Sequence, residues 1–440
     1  IENETFDILS QYWINQLDNS GNVGDSVANI GVGTFLDHAR NRLNARVYTL
    51  EHKASLESGN SQLLWGIKYQ RENINDDVTE WRMVDSAGYS IPYTDSVVSM
   101  HKYLRSKNDM ESERASAFIQ NSYSFEPAAG KITLNAGLRA NYWTLNQQFV
   151  FSPRFSIAFS PNWQRDFIFR LAAGYYNQPP FYKELRNRQG DLNEDLKAQE
   201  SFHIVGGMDY VFSAWNRPFK LVAEIYYKFM DKLVPYDIDN VRIRYYGENL
   251  AKGYATGMDV KINGEFVPGV DSWLSIGIMQ TKEDLYNDFY IRTTPGGESV
   301  KVYPGYIRRP SDQLLNVAMF FQDYLPGNPS YKMQMSMMYG TNLPFGPPDS
   351  ERYMATGKMP SYRRVDIGFS KLLKSEKQNF EGKKLINHFK SLWIGLEVFN
   401  LLDTKNTISY VWVTDIRSRQ YAVSNYLTSR RLNLKVTASF

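Results

Sequence analysis

Enzyme chemistry has three footholds in this sequence, and each fails on its spacing. Ser99-Met100-His101-Lys102 matches the Ser-x-x-Lys pattern of a serine nucleophile with a lysine partner. The companion Ser-Asp-Asn and Lys-Thr-Gly motifs are missing. Gly31-Val32-Gly33 starts a dinucleotide-binding glycine pattern whose third glycine would fall at Leu36. The five histidines, His38, His52, His101, His203 and His388, keep no metal-ligand spacing. With no cysteine there is neither a thiolate site nor a disulfide. The expectation is a protein without catalytic residues, metal or cofactor. Recognition chemistry is better represented. Trp81, Arg82, Tyr89, Phe181, Tyr182, Arg186, Tyr303, Tyr306, Arg308, Arg309, Tyr353 and Trp412 fall in segments that read as loops. Aromatic rings and arginine are favoured in binding surfaces, so these twelve are the candidate ligand contacts. Packing within a loop, or a place at a membrane interface, is the competing role for each.

The elements that must carry those loops are strands. Ile132, Leu134, Ala136, Leu138, Ala140 and Tyr142 alternate with Lys131, Thr133, Asn135, Gly137, Arg139 and Asn141. Tyr254, Thr256, Met258, Val260 and Ile262 alternate likewise with polar or small residues, as do Leu432, Leu434, Val436 and Ala438. Period two puts one face of a strand against something oily and the other against water. The net charge of +3 gives no basic surface for nucleic acid. Mean hydropathy is −0.46, and no apolar run approaches the roughly 20 residues of a membrane helix. A membrane barrel remains open, because its strands are only half apolar. The 30 Tyr, 25 Phe and 9 Trp would supply its aromatic girdles.

Turn lengths decide the class. Glu57–Asn60, Pro127–Gly130, Pro161–Gln164, Pro268–Asp271 and Pro326–Pro329 are short turns. Between them stand long segments near 72–112, 177–199, 232–253, 283–311, 340–361 and 400–425. Alternation of short periplasmic turns with long extracellular loops is the habit of transmembrane barrels. The reading is an all-β, antiparallel transmembrane barrel over residues 1–440, with about 17 strands. The closing strand with its terminal Phe440 resembles that of bacterial outer-membrane barrels, which implies a periplasmic end and an assembly signal at Phe440. Seventeen is odd, so the first strand would descend from outside, and an odd number of strands should precede Ile1. The opening Ile1 is expected to mark a mature form or a fragment.

Ser152-Pro153-Arg154-Phe155-Ser156 and Gly174-Tyr175-Tyr176-Asn177-Gln178-Pro179-Pro180 resemble the mid-barrel pattern of TonB-dependent outer-membrane receptors. Glu248-Asn249 with Gly253 and Gly257-Met258-Asp259 is similar to a later block, and Glu397-Val398-Phe399-Asn400-Leu401-Leu402-Asp403 to the block before the last loop. Trp81 and the segment Asp85 to Pro92 resemble receptors of the Bacteroidetes type. The resemblance implies a 22-strand barrel, of which about five first strands and the N-terminal plug domain are missing here. It implies TonB-energised uptake of a large, scarce nutrient: an iron chelate, corrinoid, glycan or peptide. The implied partners are outer-membrane lipid, the TonB complex through the missing N-terminal part, that part itself (upstream or as a separate chain), and a surface lipoprotein. The location is the outer membrane of a Gram-negative bacterium, with the C-terminus periplasmic. Lumen charges such as Arg139, Arg170, Asp259, Lys261, Glu265 and Lys435 would pair with one another or with the plug. Two other readings fit the residues: a passive porin or adhesin barrel, and a secreted, Tyr-rich carbohydrate-binding β protein.

Overall fold

A computed structural model describes residues 1–17, 26–86, 89–91, 100–294, 297–325, 327–347, 350–375, 388–414 and 419–439. Phe440, the turn residue Pro326 and most of 85–99 beyond Ser86 fall outside it. No described helix is long and apolar enough to cross a membrane. The long elements are strands: β1 Glu2–Leu17, β2 Ser26–Ser58, β3 Ser61–Ser86 and β4 Met100–Phe125. Then come β5 Gly130–Trp143, β6 Gln148–Pro161, β7 Asp166–Gln178 and β8 Gln199–Ala214. The series continues with β9 Arg217–Leu233, β10 Ala251–Val267, β11 Val270–Leu285 and β12 Leu315–Leu325. It ends with β13 Asn328–Gly340, β14 Tyr362–Lys374, β15 Ser391–Phe399 and β16 Arg431–Ser439. Each pairs antiparallel with the next in a single sheet, which also takes in the short strands Tyr89–Ile91 and Ile307–Arg308.

Among the described residues sixteen long strands stand where seventeen were expected, and the difference has a physical cause. Residues 27–36 and 43–56 are one 33-residue strand, β2. The polar stretch between them, read as a break, keeps its ladder: Asp37 pairs Ile8 and Arg42 pairs Asn3. The expected loop 72–112 is corrected in the same way. β3 runs on to Ser86 and β4 starts at Met100, with Glu72 opposite Ser112 and Arg82 opposite Lys102. Polarity marked these stretches as loops, yet a strand that has left the lipid needs no apolar outer face. Among the described residues the long strands are even in number, which sets β1 and β16 antiparallel. Among the described residues no ladder joins β1 to β16.

β3 shows where the lipid ends. Leu63, Trp65, Ile67 and Tyr69 share its outer face, and Ile67 is 61 % exposed. On that same face the next residues are Arg71, Asn73, Asn75 and Asp77, all exposed. The inner face changes too, from Gly66, Lys68 and Gln70 to a buried row in which Ile74 and Val78 alternate with Glu72, Asp76 and Glu80. Above Tyr69, therefore, water is outside and a packed interior is inside. Aromatic residues line both borders of the apolar band. Near the short turns Trp163, Phe167, Tyr210, Phe212, Phe219 and Phe266 form a chain of ring contacts at 4.4–5.9 Å. Toward the long loops stand Tyr142, Phe149, Phe151, Tyr175, Phe202, Tyr227, Phe229 and Tyr254. Phe219 and Phe229 are ten residues apart on β9. That is about 33 Å of strand, or about 25 Å across the membrane at a tilt near 40°. The girdles expected from composition are thus set at the spacing of an apolar band.

Candidate ligand-binding site

Above the upper girdle, the segments between strands fold into the barrel mouth. After β7 the chain forms the single-turn helix α1, Tyr182–Leu185. Its Tyr182 and Leu185, with Leu196 and Val234, pack against Ile74, Met110 and Trp143 on the inner strand faces. The hairpin of Tyr236–Asp239 and Arg242–Tyr245 follows β9. Its alternation puts Tyr236, Ile238, Ile243 and Tyr245 on one face and Asp237, Asp239, Arg242 and Arg244 on the other. The charged face reaches across to β1 and β3: Arg244 donates to Glu80 at 2.6 Å, and Arg242 to Glu4 at 2.9 Å. Asn249 clamps neighbouring segments, donating to the carbonyls of Lys197 and Lys232 and accepting from the Lys197 N–H.

Most arginines at the mouth are committed to buried carboxylates. Glu283, fully buried, accepts from Arg352 at 2.7 Å and Arg309 at 3.2 Å. Asp76, 5 % exposed, accepts from Arg186 at 2.7 Å and from the Tyr182 hydroxyl at 2.9 Å. Burial, then the Asp76 charge, pushes the Tyr182 phenol above its usual range. Burial alone would raise the Glu80 carboxyl, but Arg244 and Arg242 outweigh it and hold it below its ordinary value of 4.5. Glu184 in α1 goes the other way: burial raises it, against the Phe181 N–H and the Gln199 amide that donate to it.

The twelve candidate contacts separate under this geometry. Arg82 grips Asp37, with Nη2 at 2.8 Å from Oδ2, and Arg308 holds Asp312 and the carbonyl of Asn342. With Arg186 and Arg309, all four candidate arginines already serve protein carboxylates. Trp81 stacks on His38 at 4.5 Å, Tyr306 meets Tyr254 edge-on at 5.4 Å, Tyr353 lies 5.3 Å from Tyr290 and Trp412 6.2 Å from Phe345. Phe181 and Tyr303 are the open ones, at 63 % and 65 % exposed. The Tyr89 side chain is outside the described residues, as is Phe440. Expected lumen pairing is seen for Arg170 with Asp209 at 2.7 Å and Lys435 with Glu397 at 3.8 Å.

A further hollow lies on the strand walls. A cavity of about 590 Å³ is lined by Arg154, Tyr176, His203, Lys228 and Met230 from the strands and by Glu184, Tyr236, Tyr245 and Arg309 from the mouth. Arg154, Gly174, His203 and Lys228 form one rung across β6, β7, β8 and β9. Arg154 lies over the Tyr176 ring at 4.1 Å, and that ring stacks on His203 at 4.2 Å. The rung depends on glycine: a Cβ at Gly174 would stand 2.9 Å from Arg154 Cγ and 3.0 Å from its Cα. Reading only loops for ligand contacts missed these residues. The signal was present in the alternation, because Phe151, Phe155 and Tyr175 face lipid and so turn Arg154 and Tyr176 inward.

Over residues 4–401 the chain matches the family described as TonB dependent receptor-like, beta-barrel. Among solved structures it is similar to the ferric yersiniabactin uptake receptor FyuA from Yersinia pestis, at 12% identity and a TM-score of 0.57, covering 93% of this chain and 59% of that one. The siderophore receptor PiuA from Acinetobacter baumannii gives 12% and 0.54, covering 92% and 61%. The outer membrane transporter YddB from Escherichia coli gives 11% and 0.53, covering 99% and 59%. The chain thus spans about three fifths of these proteins, and at such identities the likeness concerns fold alone. Comparison with curated protein sequences finds no match. The family match nonetheless runs through nearly the whole chain, and the protein belongs to the TonB-dependent receptor-like β-barrel family of the outer membrane.

Proposed function

We propose that this barrel is the transmembrane part of a receptor that takes up a scarce nutrient with energy delivered through TonB. The family match from residue 4 to 401 carries the reading. The architecture supports it: an apolar band between two girdles, a polar lumen, and a mouth narrowed by inserted loops over a cavity. A plug and a TonB-contacting segment, encoded upstream or supplied as a separate chain, complete the machine in this proposal. Long loops lie outside, the C-terminus lies in the periplasm, and Phe440 serves assembly. A surface lipoprotein partner belongs to the same proposal. Solved proteins of this fold include receptors for ferric chelates and a copper transporter, and iron chelates, corrinoids, glycans and peptides are the ligand classes considered. The test is nutrient uptake by cells carrying the full-length receptor, with and without TonB. Uptake should cease without TonB while the amount of inserted receptor stays unchanged. Equal uptake in both strains would sink the proposal in favour of a passive barrel.

A further inference from the structure

The 590 Å³ cavity is unlike the rest of the mouth in its charge balance. Elsewhere at the mouth Arg82, Arg186, Arg308 and Arg352 each have a carboxylate partner, as does Arg309 on the cavity's own rim. In the cavity the carboxylates are the satisfied groups. Glu200 accepts from Lys232 at 2.6 Å, and Glu184 from the Phe181 N–H and the Gln199 amide at 2.9 Å. The wall cations are not: among the described residues, no carboxylate stands within ion-pair distance of Arg154 or Lys228. Of the lumen carboxylates beside them, Glu224 turns to Arg170 at 3.2 Å, and Asp259 faces Glu224 across the ladder. Two cations without a carboxylate at ion-pair distance thus stand beside an imidazole on this wall, a local positive patch.

We infer that this rung binds a small polyanion, whose carboxylate or phosphate oxygens bridge Arg154 and Lys228. The inference narrows the nutrient of the proposed uptake function and rests on that reading. The span is short: β6 and β9 are three strand spacings apart, roughly 14 Å, with Arg154 lying over Tyr176 of β7 and Lys228 over Tyr226 of its own strand at 5.0 Å. Between them Gly174 leaves the wall low, and the His203 ring, with Nε2 at 2.7 Å from the Ser201 hydroxyl, offers a further polar edge. The volume lies within the range of small-molecule sites, about 300–1,000 Å³. Arginine supplies a planar fork for a carboxylate or phosphate, and lysine a point charge that tolerates several ligand orientations.

The test uses the full-length receptor in detergent, titrated calorimetrically with citrate and, separately, with inorganic phosphate. Saturable binding of at least one is expected, tighter for citrate if carboxylates are read and tighter for phosphate if phosphoryl groups are. Arg154→Gln and Lys228→Gln should each weaken it about tenfold, the loss of one charge-assisted hydrogen bond. Lys228→Arg, which keeps the charge, should stay within about threefold. Lys261→Gln, a lumen cation on another stretch of wall over Trp273, should change nothing. Heat-modifiable gel migration verifies that each variant is folded. Absence of saturable binding by either anion, or folded Gln variants that bind as the parent does, would overturn the inference. So would Gln variants that lower heat stability while the parent binds no anion, since the row would then contact another part of the receptor. Loss of this site with TonB-dependent uptake intact sinks the inference alone. Saturable anion binding in a receptor whose uptake ignores TonB sinks the uptake proposal alone.

Discussion

The two halves of β3 keep one period but differ in what each face meets. Below Tyr69 the outward residues are apolar; above it, the outward Arg71, Asn73, Asn75 and Asp77 are polar, and the inward row buries Ile74 and Val78 between the carboxylates Glu72, Asp76 and Glu80. A lipid-facing strand hides its backbone and shows oil. The same strand, once in water, must bury oil against something, and the inserted segment around α1 and Leu196 is that something. The band is therefore stabilised by its solvent and the mouth by its own core and its buried ion pairs. Perturbations of equal size should have different consequences in the two regions.

The largest expected effect is at the mouth. Glu283→Ala would strand Arg309 and Arg352 without the buried carboxylate they share. Breaking a buried pair by removing one partner costs about 3–5 kcal/mol. The cost should show as local loosening, with hydrogen exchange and protease cutting rising in 300–312 and 350–356 while the barrel still resists boiling-free gel unfolding. An unchanged exchange pattern would mean that these ion pairs do not hold the mouth. Next comes the band. Ile225 lies between Phe219 and Phe229 on β9 and is 61 % exposed. Arginine there should cost about 2–4 kcal/mol in folding into bilayers, as expected at the membrane midplane. Arginine at the outward Asn75, above the band, should change stability by less than about 0.5 kcal/mol, as for an ordinary water-facing site. Equal costs at the two positions would erase the border drawn at Tyr69.

How much of this was legible in the sequence follows from the same border. Within the band the alternation in 131–142 and 254–266, the girdle aromatics and the turn lengths gave strands and class directly, because lipid imposes a strict rule on every second residue. At the mouth the rule is absent. The polar 72–112 segment read as loop because nothing local distinguishes a solvated strand from a coil; its pairing with β2 is a long-range fact, with Asn41 opposite Val78. Arg186, Arg308 and Arg309 read as free recognition groups because their partners, Asp76, Asp312 and Glu283, are revealed only by tertiary packing. Arg154, Tyr176, His203 and Lys228 could have been found from strand parity, but only after the register of four neighbouring strands was known. The block residue Asn249 stood out by resemblance; its clamp on Lys197 and Lys232 supplies the physical reason.

The smallest effect sharpens the comparison through pH. Glu80, on the upper part of β3, ties the 236–245 hairpin across the mouth through Arg244 at 2.6 Å and Arg242 at 3.2 Å, with Asn41 as a third donor. Although burial opposes ionisation, the two guanidiniums keep its carboxyl below the ordinary 4.5. A depressed folded value means that the contribution is complete above the unfolded value and is lost as pH falls through the folded one. The hairpin should hold its full protection above about pH 4.5 and loosen only below it. The loss should be partial, because a protonated carboxyl still accepts a hydrogen bond and because Ser409 also fastens the hairpin by donating to Asn240 at 2.6 Å. Hydrogen exchange of residues 236–245 between pH 6 and pH 3.5, corrected for intrinsic rates, measures it. In Glu80→Gln the same residues should be less protected at pH 6 and should show a smaller acid-dependent step, the remainder belonging to Glu4 on Arg242. The outer face of the lipid band should contribute nothing over that range, since on β5, β8 and β9 it has no carboxylate to titrate between the girdles. Acid loosening that persists unchanged in Glu80→Gln would assign the step to another carboxylate of the mouth and remove Glu80 as its latch.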